Sequence, residues 1–92
     1  MNSSVQQEME RLLTAAFAPS LLQVINDSAS HHGHAGDDGS GESHFTIRIE
    51  ADAFTGKTRL ERQRMVNRVL GDIPGRRVHA LAIRATAPGE PA

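Results

Sequence analysis

The stretch Ser43-His-Phe-Thr-Ile-Arg-Ile-Glu-Ala51 decides the fold. Phe45, Ile47 and Ile49 alternate with His44, Thr46, Arg48 and Glu50, and this period of two gives a strand one buried and one wet face. Upstream, Leu21 to Asp27 is too short for a helix and partly β-branched, so it reads as a second strand. Between the two lie residues 28–42, with four glycines, three serines and no large apolar side chain. That composition is an open loop, long for so small a domain.

Working outward, Val5, Met9, Leu12, Leu13, Ala16 and Phe17 recur at helical spacing and predict a helix over 4–18. Ser4 and Gln7 fit a capping box at its start, and Pro19 stops it. Downstream of the deciding strand, Ala53-Phe-Thr-Gly56 is a turn with Phe54 as its buried anchor. Thr58 caps a second helix, with Glu61 completing the box. Its apolar side is Leu60, Met65, Val66, Val69, Leu70 and Ile73, and because Leu60 and Met65 do not share one clean stripe, 58–63 is read as a separate short turn. Gly71, Pro74 and Gly75 end the helix. Arg77 to Thr86 is a third strand, with Val78, Ala80 and Ala82 on one face and His79, Leu81 and Ile83 on the other.

The first two strands pair antiparallel across the loop, while the last two are joined through a helix and should run parallel with a right-handed crossover. The expectation is a single α+β domain over 1–88, order αββααβ, with a three-stranded mixed sheet and helices packed on one face. Its His/Gly-rich loop at 28–42 is expected to be mobile. Residues 89–92 are expected to form a disordered tail.

Composition closes several doors. The chain has 92 residues, five histidines and no cysteine, which leaves no disulfide, no thiol nucleophile and no thiolate metal site. No apolar run approaches the ~20 residues needed to span a membrane. Met1 to Gln7 lacks the basic region and apolar stretch of a signal peptide, so a cytoplasmic location is expected. The net charge of −1 hides an asymmetry: residues 57–84 hold eight basic residues against two acids, and the remaining nine acids lie outside with only Arg11 and Arg48. Such a block suits either a solvated helix face or an anionic partner.

Gly56-Lys57-Thr58 is not a phosphate-binding loop, because Ala51 stands where that motif needs its first glycine and Asp52 would repel phosphate. No Ser/His/Asp set or carboxylate pair is held on rigid elements, so the chain is read as no enzyme. His31, His32 and His34 form a dense imidazole cluster in the loop, either a solvated run or a free-standing zinc or copper binder. His79, at the start of the last strand, reads as a structural histidine or as half of a metal site completed by a partner. Lys57, Arg59, Arg62, Arg64, Arg68, Arg76 and Arg77 form a candidate nucleic-acid surface, with no aromatic residue among them for base stacking.

Four motifs in order, Val24-Ile-Asn-Asp-Ser28, Gly41-Glu-Ser-His-Phe45, Phe54-Thr-Gly56 with Arg62-Gln-Arg-Met-Val66, and Val78-His-Ala-Leu-Ala82, resemble the BolA family over about Leu13 to Pro88. The resemblance implies a KH-like fold of the class II type and two functional traditions. In one, a BolA-like protein partners a monothiol glutaredoxin and shares a bridging [2Fe–2S] cluster with it and glutathione. In the other, it is a DNA-binding transcriptional regulator linked to stress and cell shape. The family's ligand histidine of the last strand matches His79. Its second ligand lies in the loop and matches His31, with His34 and His32 as alternatives. Gln63 stands where the family usually has histidine, and Asn67 where it usually has tyrosine. The isolated chain is expected to be a monomer.

Overall fold

A computed structural model describes residues 4–27, 44–76 and 78–90. Helix α1 (Ser4–Phe17) leads into β1 (Leu21–Asn26), and β2 (His44–Glu50) follows the loop. A 3-10 turn (Asp52–Phe54) precedes α2 (Arg59–Leu70), and a kinked turn (Ile73–Arg76) feeds β3 (Ala80–Thr86). The sheet order is β1-β2-β3, with β1 antiparallel and β3 parallel to β2. The α+β architecture, the mixed sheet and the helix-covered face are as the sequence predicts.

Alternation in β2 explains which face the helices cover. Phe45, Ile47 and Ile49 are buried, whereas His44, Thr46, Arg48 and Glu50 are half-buried on the other side. Onto the apolar face pack Val5, Met9 and Leu13 of α1 and Val66 and Leu70 of α2. Phe54 is fully buried, its ring 5.0 Å from that of Phe17. It joins the end of β2 to the end of α1. Among the described residues the opposite sheet face carries no helix and exposes Leu21 and Ile25.

Four expectations need correction. The short helical turn lies at Asp52–Phe54, not at 58–63: Thr58 and Glu61 form a complete capping box, so α2 runs unbroken from Arg59. Leu60 is therefore 55% exposed rather than on the apolar side. The faces of the last strand also differ: Leu81, Ile83 and Ala85 face the core, Ala80, Ala82 and Arg84 face solvent, yet Val78 is buried and His79 exposed. Pro74 (φ −67°, ψ 129°) and Gly75 (φ 96°, ψ −27°) adopt type II turn angles that only glycine takes easily at the second position. Val78 closes this turn, donating to the Ile73 carbonyl at 3.1 Å and accepting from the Gly75 amide at 3.0 Å. The chain bends at His79, and the alternation begins afresh at Ala80. Lastly, the segment after Ala87 is not a frayed end as far as Glu90. Glu90 accepts from the Ala87 amide at 2.9 Å and its own amide donates to the Ala87 carbonyl. The expected Ser4–Gln7 box and the loop at 28–42 fall on groups outside the described residues.

Candidate functional site: the loop end of the sheet

The two ends of the sheet carry different chemistry. At one end the long loop leaves and returns. The Asp27 amide donates to the His44 carbonyl at 2.7 Å, and the Thr46 hydroxyl donates to the Asp27 carboxylate. These bonds hold the two loop anchors side by side. His44 is in register with Ala80 on the neighbouring parallel strand, so His79 sits one residue before that pairing. A shallow cavity of about 270 Å³ lies here, lined by Asp27, His44, Phe45, Thr46 and Ala80 to Ala82. His79 thus stands exposed at the edge of the sheet end from which the loop springs.

His31, His32 and His34 lie outside the described residues. Among the described residues no three His, Asp or Glu side chains come together as a metal site. What the described residues supply is a solvent-facing imidazole, His79, at the sheet end where a histidine-rich loop returns at His44. Neutral imidazole is an acceptable ligand for iron, zinc or copper.

The basic block is split by the fold. Arg62 is held, not displayed. Its guanidinium donates to both Glu90 oxygens, at 2.6 and 2.9 Å, and to the Ala85 carbonyl at 3.0 Å, and its side chain is 13% exposed. The Arg62 guanidinium and the Ala87 amide hold the Glu90 carboxyl down at about 2, and the carboxylate in turn raises Arg62. Arg76 pairs with Asp72 at 3.0 Å, and both are open to water. Arg64 and Arg68, one turn apart, are exposed on the outer side of α2. Lys57 and Arg59 are exposed on the β3 side, where they share a cleft with Arg84. Arg77 is outside the described residues. Arg84 is the member that sequence reasoning left out of the candidate surface. Alternation from Ala80 and Ala82 could have put it on the wet face, but its proximity to the start of α2 is a tertiary fact. Glu61 is lowered by the Thr58 backbone amide and hydroxyl, which marks it as a cap.

The fold and this sheet end define a small αββααβ domain with one helix-covered and one open sheet face. The chain belongs to the BolA family: the family described as BolA-like protein matches residues 13–90. The chain is 45% identical over 89 residues to "Uncharacterized protein in cobS 5'region" of a Sinorhizobium species, covering 96% of each. It is 38% identical to the DNA-binding transcriptional regulator BolA of Escherichia coli, over 86% of this chain and 71% of that protein. Among solved structures, the BolA domain of SufE1 from Arabidopsis thaliana superposes with a TM-score of 0.82 at 34% identity, covering 96% of each chain. Among the described residues no helix is long and apolar enough to cross a membrane.

Proposed function

We propose that this chain is a non-enzymatic adaptor that partners a monothiol glutaredoxin and shares a bridging [2Fe–2S] cluster with it and glutathione, in iron–sulfur or iron homeostasis. The observation that carries the reading is the exposed His79 imidazole, one residue before the pairing with His44, where the loop that holds His31, His32 and His34 returns to the sheet. The donor set fits one half of such a centre. This chain has imidazoles and no thiol, so the sulfur ligands come from the partner's cysteine and from glutathione. An iron held by histidine instead of thiolate has a raised potential. His79 and His31 are the assigned ligands, with His34 and His32 as the alternatives for the second. The chain acts as a monomer before pairing, in a reducing compartment such as the cytoplasm.

Anaerobic reconstitution with a monothiol glutaredoxin, glutathione, iron and sulfide tests this. The wild-type pair should show a visible spectrum distinct from that of the glutaredoxin alone, and His79→Ala should abolish the difference. A spectrum unchanged by His79→Ala removes the ligand assignment. Because protonated imidazole cannot bind metal, the wild-type signal should also fade on acidification before the glutaredoxin-only signal does.

A second reading, a DNA-binding regulator, is favoured by the similarity to the DNA-binding transcriptional regulator BolA of Escherichia coli and by the exposed Arg64 and Arg68 pair. Binding through such a face should be electrostatic, with log affinity falling linearly against log salt. Arg64→Ala/Arg68→Ala should flatten that slope by about two phosphate contacts. A slope near zero, or one the double variant keeps, defeats this reading.

A further inference from the structure

A cleft of about 500 Å³ opens between the start of α2 and the outer side of β3, at the end of the sheet away from His79. Lys57, Arg59 and Arg84 line it, with Gln63 beside them and Ile83 and Ala85 in its lining. Arg62 and Glu90 form one wall, and their bidentate pair cancels its own charge. The remaining cations leave the cleft at about +3. Among the described residues, neither Lys57, Arg59 nor Arg84 has an ion-pair partner.

A second, independent feature points to the same residue. Arg84 is in register with Arg48 on the adjacent parallel strand, both on the face that no helix covers among the described residues. Like charges placed directly opposite on a sheet destabilise it. Glu50, on the same face, accepts from the Ser20 hydroxyl at 2.6 Å and keeps its charge, which offsets part of the pair's repulsion. Arg84 also joins the cleft to a smaller cavity lined by Arg48, Glu50 and Glu90, where charges of both signs meet, so the net positive charge is concentrated in the larger cleft. Among the described residues the lining of the larger cleft holds three cations and no acid other than Glu90, which is paired with Arg62.

We propose that this cleft is a binding site for a compact diphosphate group, with Arg84 at its centre and Lys57 and Arg59 closing on it. Arginine offers paired N–H donors to phosphate oxygens and lysine a mobile point charge, the combination such groups are held by. The cleft has no aromatic lining, so it is the phosphates that would be read, not a base. The site stands apart from the histidine end and does not depend on the cluster reading.

The test is a titration of the full chain with inorganic pyrophosphate and, separately, ADP, at constant ionic strength, followed by amide ¹H–¹⁵N spectra and thermal melting. Saturable shifts centred on Lys57, Arg59, Gln63 and Arg84, with a rise in Tm, are expected. Arg84→Gln should weaken binding about tenfold, the loss of one charge-assisted bond. Arg64→Gln/Arg68→Gln should bind as wild type. Equal affinity for the two probes assigns the diphosphate unit alone, and tighter ADP assigns a nucleotide. Shifts that grow linearly without saturation, shifts centred on Arg64 and Arg68, or an Arg84→Gln variant that binds as wild type would each overturn the site. So would a DNA oligonucleotide that saturates the cleft amides where pyrophosphate does not.

Discussion

The two ends of one small sheet are built on opposite plans. At the far end, Glu50 holds Ser20, Arg62 spans Glu90 and the Ala85 carbonyl, and Phe54 meets Phe17. At the loop end, one backbone bond holds Asp27 against His44, the Thr46 hydroxyl donates to the Asp27 carboxylate, and His79 is left facing water. The difference shows how a domain of this size divides its work. Side-chain interactions lock the far end, and the loop end keeps an exposed imidazole at the bend directly before β3. A ligand on a rigid element is better positioned than one on a loop. His79, proposed above as a ligand, stands directly before the first residue of β3.

Removing the lock should have the largest effect. Phe54→Ala should cost about 3–5 kcal/mol, since it deletes a fully buried ring from the contact between α1 and the end of β2. Urea unfolding measures it, and a loss under about 1 kcal/mol would show that the far end is not where stability is concentrated.

The Arg62–Glu90 pair should matter less and in a pH-dependent way. The Glu90 carboxyl lies at about 2 in the folded chain, below its ordinary value, so its contribution is present above the ordinary carboxylate range and is lost as pH falls toward 2. Glu90→Gln should therefore lower the urea midpoint at neutral pH. The two midpoints should converge as the solution is acidified. A gap that stays constant down to pH 2 would mean the ion pair is not its source.

His79→Ala should have the smallest effect on stability, within about 0.5 kcal/mol, because an exposed side chain past the end of a turn supports nothing in the core. A larger loss in thermal melting would show that the imidazole is structural and would blur the contrast between the two ends.

Much of this was legible in the order of residues. The period-two run from His44 to Glu50, the Thr58–Glu61 box and the buried Phe54 all follow from local rules, and local rules act within a few residues. Strand directions followed because a helical crossover allows only parallel pairing. The phase of the last strand was not legible, because the Pro74–Gly75 turn takes Val78 out of the strand pattern. The fate of Arg62 was not legible either. It looks like any other cation of the block until Glu90, 28 residues later, folds back onto it.

The sequence by itself therefore determined the elements, the fold class, the absence of thiol chemistry and the candidate ligand types. Only the tertiary structure decided which cations are displayed and which are spent on the fold. It also decided that His79 points outward and that Arg84 joins Lys57 and Arg59. The physical reason is the range of the interactions. Periodicity and capping are set by neighbours along the chain, whereas exposure, ion pairing and like-charge register depend on which strands and helices meet in space.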